Sequence, residues 1–200
     1  LKDSAKSEGL WNFWLTNSTR GYGLCTVEYA YLAEEMGKSR LAAEIFNCSA
    51  PDTGNMEVFE RYGTKKHKEE WLQHLLDGKI RSAYCMTEPR VASSDATNMS
   101  LQAVRDGNNY VLNGEKWWAS GAGDPRCAVY IVMVKTGSDN LPKHKRHSMV
   151  IVPANSKGVK VVRPMQVFGH DDAPHGHMHI TFENVIVPAE DMLIGEGHGF

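Results

Sequence analysis

The sequence predicts an α+β fold with more than one domain: a helical segment followed by an antiparallel, barrel-like β-domain, with the change near Lys79. In the first eighty residues, apolar side chains recur every three to four positions, which is the period of a helix with one buried face. After Gly78, short β-prone runs follow one another closely, separated by turn residues. Strands without helices between them favour an antiparallel sheet over a parallel one.

Three helices are predicted in the helical segment. The apolar spacing over residues 24–36 predicts the first of them. A second helix is predicted over residues 39–45, and it ends in a turn at residues 50–52. Thr64 is a natural cap for the third, because its hydroxyl accepts the free amide hydrogens of a first turn, and Gly78 ends that helix.

The β-domain is predicted from runs of β-branched and aromatic residues. The predicted strands are residues 80–86, 101–105, 110–113, 115–119, 128–134, 148–153, 159–163 and 178–187. The pair Asn113-Gly114 stands between two of these runs. Because both residues tolerate positive φ, this pair predicts a tight hairpin.

Bulk composition narrows the class of protein. The 200 residues carry a net charge of −2, with 42% hydrophobic and 23% charged residues, so a globular protein is expected and nucleic-acid binding is not. The longest apolar run, residues 128–134, is too short to span a bilayer. The four cysteines are scattered and form no Cys-x-x-Cys pair, which predicts free thiols. Free thiols favour a reducing compartment, so we expect an intracellular protein, and the choice among bacterial cytoplasm, mitochondrion and peroxisome stays open.

Two segments concentrate polar side chains. The first is segment 84–89 (YCMTEP) with Ser93, Ser94 and Asp95 close behind it, and the second is segment 116–121 (KWWASG). Hydroxyl groups and free loop amides bind anionic oxygens, and an indole offers a flat packing surface. Taken singly, a polar turn and a core tryptophan explain them equally well. Together they predict a site for a flat heteroaromatic cofactor with a phosphate tail.

A metal site is the alternative hypothesis. His175, His177 and His179 alternate, so on a strand they share one face, and Glu183 has the same parity. His177, His179 and Glu183 suit iron or zinc, as in metal-binding β-barrels of the cupin type. A polar, solvent-facing strand edge explains the same alternation.

The polar segments resemble those of a known family. Residues 84–95 are similar to the flavin-binding signature of acyl-CoA dehydrogenases, and residues 118–120 (WAS) resemble that family's Trp-Ile-Thr segment. Residues 182–188 (FENVIVP) and 195–200 (GEGHGF) resemble the passage out of its middle β-domain. The order and the separations agree over residues 83–200, and the upstream helices resemble the end of the family's N-terminal domain.

The resemblance implies a fold, a cofactor and a reaction. By it, residues 1–82 would be the last part of an N-terminal helical domain, residues 83–190 the middle β-domain, and residues 191–200 the start of a C-terminal helical bundle that is absent from the chain. The implied cofactor is FAD. The implied reaction is α,β-dehydrogenation of an acyl-CoA thioester with hydride transfer to FAD, as part of fatty acid and lipid metabolism. The implied partners are an electron-transfer flavoprotein and further copies of the chain, in a dimer or a tetramer.

By position, the resemblance assigns cofactor contacts to Tyr84, Cys85, Met86, Thr87, Ser93, Ser94, Trp118, Ala119 and Ser120. Thr87 would donate to the polar edge of the isoalloxazine. Trp118 would pack against the ring, and Ser120 would reach towards N5. Ser94 would contact the pyrophosphate or the substrate.

The chain departs from the family pattern in its loop and in its catalytic base. Residues 90–95 read RVASSD where the family has Gly-Ala-Gly-Ser-Asp, so the choice between Ser93 and Ser94 as the ligand contact stays open. The family's catalytic glutamate lies in the C-terminal bundle, so the base is expected beyond Phe200 and no catalytic residue is assigned within the chain. Glu88 is expected to be structural, and the 200-residue polypeptide alone is expected to be inactive.

Overall fold

The computed structural model describes residues 1–16 and 19–200. Its helices are α1 (Lys2–Ser7), α2 (Thr26–Met36), α3 (Ala42–Ile45), α4 (Asp52–Tyr62), α5 (Lys65–His67), a π-helical turn (Lys68–Leu72) and α6 (Gln73–Leu76). Its strands are β1 (Arg81–Cys85), β2 (Gln102–Asp106), β3 (Asn109–Ser120), β4 (Cys127–Lys135), β5 (His147–Pro153), β6 (Val159–Pro164), β7 (His177–Pro188) and β8 (Met192–Leu193). The predicted α+β class, with helices first and a β-rich part second, is confirmed.

The helix predicted from Thr64 forms as a continuous run of α5, the π-helical turn and α6. The Thr64 hydroxyl accepts the amide hydrogen of His67, with an oxygen–nitrogen distance of 3.2 Å. Gly78 follows the end of the helical run. Its φ of +70° is the left-handed conformation that favours glycine. Leu72 and Leu75 bury the inner face of the run.

Helix α4 begins where the sequence predicts only a turn, at residues 50–52. Its first residues, from Asp52 to Asn55, are poor helix formers, so local propensity does not indicate a helix. Met56 and Phe59 lie on its inner face and are completely buried. Tertiary packing therefore stabilises this helix, as it does most short helices in proteins.

Helix α2 forms close to the predicted range but lies on the surface. None of its residues is buried, and Val27 and Tyr31 are 65% and 69% exposed. Helix α3 is shorter than the predicted 39–45 and keeps only four residues. Within residues 1–16 and 19–200, the helices are too short or too polar to cross a membrane.

The strands form one sheet in the order β6-β7-β3-β2-β4-β5-β8, with β1 added at β4. Most neighbours are antiparallel, as predicted. Strand β1 is an exception, because it runs parallel to β4 with Ala83 opposite Tyr130. The long connection between β1 and β4 is what allows a parallel pair.

The predicted hairpin at Asn113-Gly114 is wrong. Strand β3 passes straight through both residues, and the tight turn lies earlier, at Gly107 with a φ of +56°. Gly114 is instead a point of close approach, because an added Cβ would lie 2.9 Å from the Cα of Leu101. The extra residue of the neighbouring bulge belongs to β7, where Asn184 has a φ of +52°.

Two apolar cores lie on opposite faces of β4. Val129, Ile131 and Met133 pack against the helical part, and Tyr130 and Val132 pack into the interior of the β-domain. This alternation is the period-two pattern of a strand that is buried on both faces. The first core attaches the helices to the sheet, and residues that follow β1 and β3 lie near this junction.

Candidate functional site

The structure brings the two polar segments of the sequence together. The Thr87 hydroxyl donates to the carbonyl of Trp117 at 2.9 Å, and the Trp117 amide donates to the carbonyl of Thr87, also at 2.9 Å. The chain leaving β1 is therefore joined to the end of β3 by a reciprocal pair of hydrogen bonds. These bonds hold the two segments in a fixed relative position.

A buried ion pair between Lys116 and Glu88 stabilises this junction. The Lys116 ammonium donates to Glu88 at 2.8 Å and to the carbonyl of Met86 at 2.7 Å. The Glu88 carboxylate also accepts from the backbone amides of Ser100 and Leu101 at 2.8 and 2.9 Å. Lys116 is completely buried and Glu88 is 3% exposed, so the pair fixes the loop without reaching the surface. This geometry agrees with the structural role expected for Glu88.

The electrostatics of the pair keep Glu88 ionised. Burial alone would raise the pKa of the Glu88 carboxyl, but the Lys116 charge and the hydrogen bonds outweigh it and the pKa lies below its usual range. From the sequence, Lys116 was identified only as a member of segment 116–121. Its parity with Tyr110 and Leu112, both inward-facing residues of β3, is the signal that would have placed it inside.

Trp118 occupies a β-bulge in β3. The register passes from Lys116 opposite Ile180 to Ala119 opposite Met178, so β3 carries one extra residue there. Trp118 has a φ of +55°, a left-handed conformation that is unusual for a bulky residue and that recurs at functional sites. Its side chain turns outwards and is 37% exposed. The bulge therefore presents a flat aromatic surface beside the junction.

Ser120 follows the bulge and is held by a histidine. Its hydroxyl oxygen lies 2.8 Å from Nδ1 of His177, and Nε2 of His177 lies 2.9 Å from a carboxylate oxygen of Asp172. Ser120 and His177 face each other across the β3–β7 pair. The serine therefore belongs to a hydrogen-bonded chain of three side chains.

Ser120 lines a cavity of about 540 Å³ between the helical part and the β-domain. Gly121 forms part of the wall, and an added Cβ there would lie 3.1 Å from the carbonyl of Ser82. The cavity has contributions from both halves of the chain, among them Arg40, Ser49, Pro51, Ser82, Gly121 and His177. A cavity of this size at a domain junction is typical of a small-molecule site.

The two serines of the loop have different environments. Ser93 is buried, and its hydroxyl accepts the amide hydrogen of Glu88 and donates to the Glu88 carbonyl. Ser94 is exposed. Of the two, Ser94 is thus the serine that a ligand can reach by its side chain.

The remaining predicted contacts divide by the direction of their side chains. Cys85 and Ala119 are buried in the inner β-core, so only their backbone can face a ligand. Tyr84 and Met86 are half-buried on the side of the helices, and the Tyr84 hydroxyl lies 3.8 Å from the sulfur of Met149. Burial raises the pKa of the Tyr84 phenol.

The alternative metal site has no support in the structure. His177 is bonded to Ser120 and Asp172, and His179 lies 2.8 Å from a carboxylate oxygen of Glu115. Glu183 is exposed. Among the residues that the structure describes, no group of three or more histidine, cysteine or acidic side chains could hold a metal ion.

Comparison with known proteins agrees with the resemblance found in the sequence. The family model described as "Acyl-CoA dehydrogenase, N-terminal domain" matches residues 2–79, and "Acyl-CoA dehydrogenase, middle domain" matches residues 83–185. The chain is 55% identical to acyl-CoA dehydrogenase family member 11 of Gallus gallus, over all of this chain and 26% of that protein. It is 52% identical to the probable acyl-CoA dehydrogenase FadE2 of Mycobacterium tuberculosis, over all of this chain and 48% of that protein.

Solved structures extend the comparison to the fold. A Mycobacterium abscessus protein, provisionally named an acyl-CoA dehydrogenase, superposes with a TM-score of 0.95 at 50% identity and covers 99% of this chain and 48% of that one. An acyl-CoA dehydrogenase from Geobacillus kaustophilus gives 0.76 at 26% identity, over 100% of this chain and 50% of that one. The chain spans about a quarter to a half of the length of the relatives named here. Two family models that together match most of its length, in the order of the family's domains, show that the chain belongs to the acyl-CoA dehydrogenase family.

Proposed function

We propose that this chain is the flavin-binding part of an FAD-dependent enzyme that removes two hydrogens from the α and β carbons of an acyl-CoA thioester. The observation that carries the proposal is the bulge at Trp118, which holds an exposed indole and the Ser120 hydroxyl beside the segment that leaves β1. Family membership supplies the chemical class. The chain covers only part of the length of its relatives, so the activity of the whole protein is itself part of what we propose.

The residues present fit a flavin. A tricyclic ring needs a flat apolar surface and a small number of donors and acceptors at its polar edge, and Trp118 with Ser120 supplies both kinds of group. A phosphate tail needs an accessible hydroxyl, which Ser94 offers. The Thr87 hydroxyl hydrogen is already donated to Trp117, so in this arrangement the Thr87 hydroxyl can accept from a ligand but does not donate to it as the sequence predicted.

When bound, FAD would accept the hydride that leaves the β carbon of the substrate. The protein's part is then to position and to tune. Trp118 would pack on the ring, Ser120 would face N5, and Ser94 would hold the pyrophosphate or the thioester arm. Hydrogen-bond donors such as backbone amides, aimed at the polar edge of the ring, would favour the negative charge that gathers there on reduction.

We assign no catalytic base within the chain. Glu88 is unsuitable, because its carboxylate is occupied by Lys116, Ser100 and Leu101 in a buried position. A carboxylate from the remainder of the enzyme completes the proposal. The proposal also includes an electron-transfer flavoprotein as electron acceptor and assembly into a homo-oligomer. Both of these parts rest on family membership.

The proposal is tested by flavin retention in the full-length protein. We expect Trp118→Ala to weaken FAD binding by about 1–3 kcal/mol, which is the usual loss when a stacking aromatic is removed from a flat ring. Ser120→Ala should weaken it less, because the Ser120 hydroxyl hydrogen is bonded to His177 and the change removes no ring-sized packing surface. The measurement is the flavin absorbance that stays with the protein on gel filtration, followed by fluorescence titration of the stripped protein with FAD.

The matched control is Trp71→Ala, which removes a partly exposed indole that lines a different cavity. This variant should retain FAD as the unaltered protein does. Equal retention by Trp118→Ala and Trp71→Ala would contradict the stacking role of Trp118.

A further inference from the structure

The chain of side chains that begins at Ser120 is fixed by backbone pairing. Ser120 ends β3 and stands directly opposite His177, which begins β7. The loop before β7 is tied to the segment after β3, because the amide of Gly121 donates to the carbonyl of Gly176 at 3.0 Å. Within that loop, the Gly176 amide donates to the carbonyl of Asp172, also at 3.0 Å. The positions of the three side chains thus follow from the sheet.

The neighbouring histidines pair with other carboxylates, and Asp172 pairs with His177. His175, in the same loop, pairs with Asp124 at 3.2 Å, and His179, on β7, pairs with Glu115 at 2.8 Å. Asp172 lies 2.9 Å from Nε2 of His177, and the Trp118 ring centre is 6.1 Å from that of His177. Each of these histidines therefore has a carboxylate of its own, and only His177 also contacts a hydroxyl on the cavity wall.

Hydrogen-bond polarity then fixes the direction of the serine hydroxyl. An ionised carboxylate only accepts, so Asp172 requires Nε2 of His177 to carry a hydrogen. In a neutral imidazole, Nδ1 then holds a lone pair and accepts from Ser120. The hydroxyl hydrogen points at the histidine, and the serine oxygen offers only lone pairs to a ligand in the cavity.

We infer that His177 and Asp172 are positioning residues that set the Ser120 hydroxyl as an acceptor towards the flavin. The inference rests on the proposed function. The flavin N5 accepts a hydrogen bond when oxidised and carries a hydrogen when reduced. A serine fixed as an acceptor therefore favours the reduced cofactor, whereas a freely rotating serine can also donate to the oxidised one. The pair raises the tendency of the bound flavin to accept a hydride.

The test is a mutant cycle on the flavin potential of the full-length, FAD-loaded protein, at about pH 8, where an ordinary imidazole is neutral. The variants are His177→Phe, which keeps a ring but removes both nitrogens, Ser120→Ala, and the two combined. We expect His177→Phe to lower the midpoint potential by about 30 mV, the equivalent of a tenfold change for a two-electron couple. In the Ser120→Ala background, His177→Phe should have no effect, because its influence passes through the hydroxyl.

His179→Phe is the matched control, since it removes the neighbouring histidine with its own carboxylate and does not contact Ser120. It should leave the potential unchanged. An equal shift from His177→Phe with and without Ser120 would overturn the inference, while leaving the proposed function intact as long as FAD binds and acyl-CoA reduces it. Loss of FAD binding by the unaltered protein would instead overturn the proposed function.

A second measurement does not depend on any variant. In full-length protein labelled with ¹⁵N at histidine, the His177 ring should carry its hydrogen on Nε2 in the neutral form. A hydrogen on Nδ1 would overturn the inference, because the serine oxygen would then be the acceptor from the ring and free to donate to a ligand. Asp172→Asn should weaken the preference for the Nε2 form, and an unchanged preference would contradict the role of Asp172.

Discussion

Lys116 is a fully buried lysine, and its burial is made possible by the partners gathered around it. Glu88 supplies the opposite charge and Met86 a carbonyl, while Ser100 and Leu101 satisfy the rest of the carboxylate. Taking two charges out of water costs several kcal/mol per ion, so a pair of this kind persists only with such additional hydrogen bonds. Its effect here is to hold the segment after β1 against β3.

Removal of one partner of the pair should destabilise the fold strongly. We expect Lys116→Met or Glu88→Gln to reduce the free energy of unfolding by about 3–5 kcal/mol, because each leaves a buried charge or a buried donor without its partner. Arg90→Ala is the control, since Arg90 is 85% exposed in its ion pair with Glu115 and such pairs contribute about 0–1 kcal/mol. Urea unfolding measures all three, and similar losses in Lys116→Met and Arg90→Ala would contradict the account.

At single residues, some features of the candidate site could be predicted from the sequence and others could not. The meeting of a hydroxyl-bearing segment with an indole-bearing one was predictable from residues 84–95 and 118–120, while their contact with a ligand stays a prediction. The choice of Ser94 over Ser93 as the accessible serine was not, because it depends on the hydrogen bonds between Ser93 and the Glu88 backbone. The left-handed conformation of Trp118 was not predictable either, since it results from a bulge set by the register of β3 on β7.

At the scale of elements, a polar clasp joins the helical part to the sheet. Asp52, in the first turn of α4, accepts from the Ser82 amide at 2.7 Å and from the Arg81 guanidinium at 3.0 Å. Glu44, in α3, also pairs with Arg81 and lies 2.9 Å from the guanidinium of Arg126. These contacts border the cavity, so they position its two walls relative to each other.

The clasp should weaken in acid. Burial opposes ionisation of Glu44, but Arg81, Lys2 and Arg126 together lower its pKa from 4.5 to about 2. A carboxyl with a depressed pKa stabilises the fold above its unfolded pKa, and that stability is lost as the pH falls through the folded value. We therefore expect Glu44→Gln to be less stable at neutral pH and to lose less stability than the unaltered protein between pH 4.5 and about 2. Urea unfolding at several pH values measures the free energy of unfolding of both proteins. Parallel curves of this free energy against pH would contradict the stabilising role of ionised Glu44.

The elements differ in how well the sequence predicts them. The strands follow the predicted runs closely, because β-branched residues and turn residues mark them locally. Helix α4 does not, because Met56 and Phe59 stabilise it through contacts with residues distant in the chain. The Asn113-Gly114 pair misled the prediction for the same reason: what needs a glycine there is the approach of Leu101, not a turn.

At the scale of the whole molecule, the sheet has a helical layer on one face of β4 and its own inner core on the other. The cavity lined by Ser120 lies where these parts meet, which is where small-molecule sites commonly occur. The predicted divisions after residues 82 and 190 stay predictions. Residues 192–193 pair with β5, so the last stretch of the chain still contacts the sheet.

The central claim of the proposed function, that the protein uses bound FAD to oxidise an acyl-CoA, rests on family membership and on the indole and hydroxyl at the Trp118 bulge. The most direct measurement is an anaerobic titration of the full-length, FAD-reconstituted protein with acyl-CoA thioesters of varied chain length and polarity, followed by flavin absorbance and by analysis of the product. The account predicts stoichiometric FAD that is bleached by at least one thioester, with formation of the corresponding enoyl-CoA. A protein that stays colourless after incubation with FAD, or whose bound flavin is indifferent to every thioester, would contradict it.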